Sequence, residues 1–286
     1  MKFSVSSYSF QKLLNEKKYT QLDLIKAAKD MGFEGIEYTD LMPPEGVSDL
    51  EYAATLRAEA EKQGMEIVNY TIGANFLSEK GLEKEVERLC GQVDVAEALG
   101  AKGMRHDATG GFSGEEKTYK SFDSALPVLA EGCRRVTEYA AKKGIKTMVE
   151  NHGYFCQDSD RVEKLVNAVA NPNFGLLIDM GNFLCADDEP AKAVGKVASY
   201  AKHVHAKDFI KKSGNGPDPG NGFFRTRGGD YLRGTVVGHG DVPVYQCLQT
   251  LIRSGYDGFV SIEFEGVEEN EWAIKTGLDN LKRYAK

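Results

Sequence analysis

Apolar positions along the chain fall into two alternating rhythms. Short apolar or β-branched runs give way to longer stretches with apolar residues three and four apart, the spacing of a strand followed by an amphipathic helix. Leu24, Ala28 and Met31 share one helical face before Gly32, and the chain re-enters an apolar run at residues 35–38. The same spacing predicts helices over residues 50–63, 83–99, 119–143 and 244–254, stopped by Gly64, Gly100, Gly144 and Gly255. A glycine at such a stop adopts the left-handed conformation of a helix C-terminus without side-chain cost, and a strand follows each within a few residues.

The interval from Gly144 to Gly255 holds room for three more such units. With a last strand at Phe259 and a helix over residues 270–284, the count reaches eight. Strands alternating with helices imply parallel strands joined by right-handed crossovers. The expected fold is α/β, a single (β/α)8 TIM barrel spanning residues 1–286, with a doubly wound open sheet as the alternative. An open sheet would carry a glycine-rich phosphate turn after an early strand. The nearest candidate, GNGPDPGNG at residues 214–222, contains Pro217 and Pro219 and leads into no helix. No linker divides the chain. The longest irregular segment, residues 211–237, is expected to lie as a loop over the active face, where Arg225, Arg227 and Arg233 would reach an anionic or hydroxylated substrate, or to form a subunit contact in a homo-oligomer.

Four of the apolar runs end on groups that bind metals or move protons: IKTMVE on Glu150, FGLLID on Asp179, AKHVH on His205 and FVSIE on Glu263. In a barrel the C-terminal ends of the strands converge on one face, so these residues are expected to meet around one divalent ion. Three carboxylates and an imidazole form a hard, oxygen-rich set suited to Mn²⁺ first, with Mg²⁺, Co²⁺ or Zn²⁺ as alternatives. His203 and His205 are expected to point to opposite sides of their strand, His205 to the metal and the other in support. Arg105 and His106 at the end of the fourth strand, Lys207, and Tyr8 near the first are candidate substrate contacts. Phe10, Glu37, Tyr38, Asn69 and Tyr70 share the ends of strands one to three, where aromatic groups would wall a sugar ring. Asp241 reads as a helix N-cap after His239, and Cys156 reads as an inert thiol.

Composition narrows the function. With 36 basic and 43 acidic residues the net charge is -7, which argues against nucleic acid as a partner and favours a small neutral or locally recognised substrate. The five cysteines are scattered, and none forms a C-x-x-C pair, a pattern of free thiols in a reducing cytoplasm. No apolar run approaches the length of a membrane span, so no membrane partner is expected.

The strings VENHG, LLIDMGN, HVHAKDF and GFVSIEFEG, in this order and over nearly the whole chain, resemble the sugar phosphate isomerase/epimerase superfamily of xylose isomerase-like barrels. That group includes ketose 3-epimerases, hydroxypyruvate isomerase, inosose dehydratase and endonuclease IV. The resemblance implies Glu150, Asp179, His205 and Glu263 as metal ligands and Glu150 and Glu263 as the catalytic pair that exchanges a substrate proton. It also implies a substrate-binding role at Asn182, where ketose 3-epimerases carry a histidine; they carry a glutamate where this chain has Cys156 and an arginine where it has Lys211. The HVHAKD string is closer to the inosose dehydratase side. The expected activity is thus a metal-dependent sugar isomerase or epimerase, with an inosose dehydratase-like lyase as the alternative and a catalytically silent barrel serving binding or assembly as the reading from another class.

Overall fold

The computed structural model describes residues 1–286. Seven strands run in chain order: β1 (Lys2–Ser6), β2 (Gly35–Tyr38), β3 (Glu66–Ile72), β4 (Gly103–His106), β5 (Lys146–Glu150), β6 (Phe174–Asp179) and β7 (Ala201–Ala206). Next come β8 (Asp208–Lys212), β9 (Phe224–Arg225) and β10 (Tyr231–Thr235), and then β11 (Phe259–Ile262). The first seven strands and β11 close into a barrel in the order β1-β11-β7-β6-β5-β4-β3-β2, every neighbouring pair parallel. This is the expected eight-stranded fold.

Helices wrap the barrel and begin and end where local chemistry directs. The helix Asp49–Gln63 starts on a capping box, with Ser48 and Glu51 each satisfying the other's backbone N–H. It ends on Gly64 in the left-handed conformation, at φ 68°. The expected stops at Gly144 and Gly255 are less direct, because the helices end earlier, at Ala141 and Arg253, and a short turn precedes each glycine. Pro243 rather than Asp241 precedes the helix Val244–Arg253, and Asp241 instead accepts from the Lys211 N–H.

Strand alternation divides the barrel wall into two environments. Outward residues such as Ile36, Val149, Ile178, Val204 and Ile262 are buried in the apolar layer beneath the helices. Thr147 faces the same way and meets Thr137 of the helix Phe122–Ala141 at 2.7 Å. The inward residues are largely polar. Ser4 and Ser261 hydroxyls bond across the barrel seam at 2.8 Å, and Glu37, Asn69, Thr71 and His203 lie above them. The barrel interior is thus a hydrogen-bonded column in place of stacked branched aliphatics.

The segment expected to be irregular is ordered differently. Strands β8, β10 and β9 form a three-stranded antiparallel sheet after β7. The arginines fold back onto their own surroundings. Arg225 donates to the Tyr231 hydroxyl at 2.6 Å with its guanidinium 4.6 Å from that ring's centre, Arg227 pairs with Asp158, and Arg233 lies over Phe223.

Ser9 fastens the seam where the first and last strands meet. Its hydroxyl donates to the Ile262 carbonyl at 3.0 Å and accepts from the Phe264 N–H at 2.9 Å, all of it buried. Replacing Ser9 with Ala removes the side-chain partner of the buried Phe264 N–H, and we expect a loss of about 1–3 kcal/mol, seen as a lower urea midpoint with an unchanged slope.

Candidate metal centre and active site

Glu150 ends β5, Asp179 ends β6, His205 is the last inward position of β7, and Glu263 follows β11. One donor atom from each lies within 4.8 Å of the others, and all four residues are buried. His205 Nδ1 stands 3.4 Å from Glu263 Oε1 and 3.8 Å from both Glu150 Oε1 and Asp179 Oδ2. His205 Nδ1 and Asp179 Oδ2 are buried without a hydrogen-bond partner. Orphaned polar atoms that face one another across a carboxylate-lined gap are what a shared cation would satisfy, so the set fits a hard divalent ion.

The ring of His205 is set from below. Its Nε2 is 2.8 Å from Glu37 Oε2, and His203 Nε2 reaches the same oxygen at 3.0 Å. A carboxylate accepting at Nε2 fixes the tautomer that leaves Nδ1 free to ligate. The expectation that the two histidines point to opposite sides is overturned: residues two apart on a strand share a face, so both point inward, His203 one layer lower. Burial opposes the charge on His205, but Glu37 and Glu263 outweigh it and hold the imidazole well above its ordinary range. Burial likewise works to raise Glu37, while His205 and His203 hold it well below the carboxylate range.

Two cations brace the carboxylates. Arg105 reaches Glu150 Oε2 and Asp107 Oδ1, each at 2.8 Å. Lys207 Nζ sits 2.6 Å from Glu263 Oε2, 3.3 Å from Asp179 Oδ2 and 3.6 Å from Glu265 Oε2. Asp179 accepts from the backbone N–H groups of Gly181 and Asn182, yet burial pushes its carboxyl up to about 6. Burial acts in the same sense on Glu263, where the charges of Lys207 and His205 prevail and lower it.

Above the four ligands a cavity of about 490 Å³ opens at the C-terminal face of the barrel. Tyr8, Arg105, Lys207, Glu150 and Glu263 line it, with Leu41, Met42 and Ile72 as the apolar wall. Several expected contacts lie elsewhere. His106 is fully buried beside Phe76 and Phe174, with Nδ1 2.7 Å from the Asp107 carbonyl, because alternation sends Arg105 inward and its neighbour outward. Arg225 is held by Tyr231 and does not line the cavity. Asn182 is buried under the cavity, donating to Glu150 Oε1 at 2.8 Å and accepting from Lys207 at 3.2 Å, so it positions a ligand. Phe10, Tyr38 and Tyr70 are buried in the apolar core; Glu37 and Asn69 belong to the polar column. His239 is exposed beside Trp272, and Cys156 is buried, its thiol pushed up to about 12 by burial.

The structure also brings in residues that sequence reasoning passed over: Asp40, Asp107, His152 and Glu265 all line the cavity. His152 Nδ1 is 3.0 Å from Asp107 Oδ1, and although burial opposes it, this bond raises the imidazole above its ordinary range. Its position two residues past Glu150 in VENHG was the available signal.

Comparison with known proteins agrees with this architecture. A family model described as a xylose isomerase-like TIM barrel matches residues 25–284. An inosose dehydratase of Clostridium beijerinckii is 25% identical over 249 residues, covering 82% of this chain and 78% of that protein. Among solved structures, a 3-keto-D-glucoside 4-epimerase from E. coli superposes with a TM-score of 0.73 at 15% identity over 99% of each chain. A barrel protein from Mycobacterium smegmatis, solved in complex with magnesium, gives 0.70 at 19% identity over 92% of this chain and 88% of that one. At such identities the structural likeness speaks to fold alone. No helix of this chain is long and apolar enough to cross a membrane. Matched over nearly its whole length, the chain belongs to the xylose isomerase-like TIM barrel family.

Proposed function

We propose that this protein is a divalent-metal-dependent enzyme that removes a proton from a carbon beside the carbonyl of a keto-sugar or related polyol, acting as an isomerase or epimerase. The observation that carries the reading is the meeting of Glu150, Asp179, His205 and Glu263 under an open cavity, with His205 Nδ1 and Asp179 Oδ2 buried there and making no hydrogen bond. A divalent ion there, Mn²⁺ first and Mg²⁺, Co²⁺ or Zn²⁺ as alternatives, would polarise the carbonyl and acidify the adjacent C–H.

The residues of the chain supply the rest. Glu150 and Glu263 stand on strands separated in the barrel by β6 and β7, so they approach a bound carbon from different sides. One glutamate takes the proton and the other returns it: to the same carbon for epimerisation, to the next for isomerisation. Arg105 holds Glu150 in place through Oε2. Lys207, braced by Glu263 and Asp179, carries ammonium protons at the cavity wall, where charge develops on the substrate oxygen. Burial lowers the Lys207 pKa, but Asp179 and Glu263 override it and keep the group protonated.

A second reading, dehydration, is favoured by one specific observation. The His152–Asp107 pair lines the cavity apart from the four ligands, and a protonated imidazole there suits delivery of a proton to a departing hydroxyl. The similarity to an inosose dehydratase points the same way.

Three measurements test this. In heavy water with Mn²⁺, the protein should exchange substrate C–H protons of ketoses or keto-inositols, and Glu150→Gln should reduce that exchange by about a thousandfold or more with the circular dichroism unchanged. Undiminished exchange would remove Glu150 from the mechanism. The second variant, His152→Gln, separates the two reactions. As a lyase it should lose about a hundredfold or more in water elimination while retaining C–H exchange; as an epimerase it should give unchanged product ratios. Third, metal binding should release about one proton near neutral pH, from His205, and a second as the pH falls through about 6, where Asp179 is protonated too. Affinity therefore weakens on acidification. Calorimetry in buffers of different ionisation enthalpy counts the protons, and no release near neutrality would contradict ligation through His205 Nδ1.

A further inference from the structure

We infer that the cavity selects substrates carrying no phosphate or carboxylate, and that Asp40 is a specificity-determining residue that accepts from substrate hydroxyls and repels anions. The inference rests on the function proposed above and narrows its substrate class to uncharged polyhydroxylated ketones.

The argument begins with charge. Six carboxylates, those of Asp40, Asp107, Glu150, Asp179, Glu263 and Glu265, line or underlie the cavity against two permanent cations, Arg105 and Lys207. A divalent ion leaves the cavity net negative even with His152 protonated. Both cations are already committed. The Arg105 side chain is 5% exposed and bound to Glu150, Asp107 and the Ile72 carbonyl. The Lys207 side chain is 6% exposed, with carboxylates of Glu263, Asp179 and Glu265 around its ammonium group. Recognition of a phosphate or carboxylate needs a free fork of donors or an uncommitted ammonium, and the lining offers neither.

What the rim does offer is acceptors. Asp40 follows β2 and is exposed; its carboxylate makes no hydrogen bond or ion pair within the protein, and only its backbone carbonyl is used, by Gln21. Glu265 adds a second carboxylate whose one cation contact is the long one to Lys207. Tyr8, 40% exposed, lines the same cavity. Carboxylates and an aromatic ring lining one cavity match the hydroxyl donors and C–H faces of a neutral ring. The basic loop that sequence reasoning offered for anion recognition is excluded from this role, since Arg225, Arg227 and Arg233 pair elsewhere.

The test uses matched pairs, each neutral ketose or keto-inositol beside its own phosphate ester, with the Mn²⁺-loaded full-length protein and deuterium incorporation as the readout. Wild type should favour the neutral member in kcat/KM by about a hundredfold or more, and added salt should narrow the gap through screening. Asp40→Lys should narrow it by about tenfold or more at low salt, chiefly through KM for the ester, with metal content unchanged. Asp40→Asn should fall between the two. A wild type that prefers the esters, or a ratio that Asp40→Lys does not move, overturns the inference while leaving the proposed chemistry standing. A panel in which no member exchanges overturns the proposed chemistry, and the substrate class falls with it.

Discussion

Three carboxylates buried side by side repel one another, and that repulsion is the constraint around which the barrel interior is organised. Glu150, Asp179 and Glu263 are brought together by strands that must close on themselves, so they cannot relax apart without opening the barrel. Each is met by a specific counterweight. Arg105 takes the outer oxygen of Glu150, Lys207 spans Glu263 and Asp179, and the imidazole of His205 stands in the middle. Asp179 is fully buried, and that burial pushes its carboxyl up to about 6.

The same constraint explains why the barrel is polar inside. An imidazole that must present Nδ1 upward needs a carboxylate at Nε2, and a buried carboxylate needs donors of its own. Glu37 therefore collects Asn69, Thr71, His203 and His205, while His203 is tied in turn to Ser261 and Ser261 to Ser4. The column transmits positional rigidity from the seam to His205. A barrel filled with branched aliphatics would pack as well and leave the ligand histidine free to rotate.

The cavity above divides its labour accordingly. The cations that face it are structural partners of the ligands first, which leaves the distal rim to acids, an aromatic ring and a few apolar side chains. Loops following the strands supply that rim, among them residues 39–42 after β2 and His152 after β5, on a scaffold whose own inward residues are tied into the polar column. The antiparallel sheet β8-β10-β9 stands outside this arrangement and keeps its arginines for itself.

Much of this was readable from the chain alone. Helices closed by Gly32, Gly64 and Gly100 and strands ending on an acid or histidine are local patterns, so the eight-unit barrel and the four converging residues follow from periodicity and the direction of parallel strands. Which neighbours share a face is also local, and it places Arg105 in the cavity and His106 in the apolar layer, although pairing them by adjacency alone puts both in the cavity. What only the tertiary structure decided are contacts between segments distant along the polypeptide. The grip of Arg105 on Glu150, the claim of Glu37 on both histidines, the withdrawal of Arg225 onto Tyr231 and the placing of Asp40 on the rim depend on loop paths and side-chain reach. A strand's sequence states which way its side chains point; which partners they find there is settled by how the barrel closes.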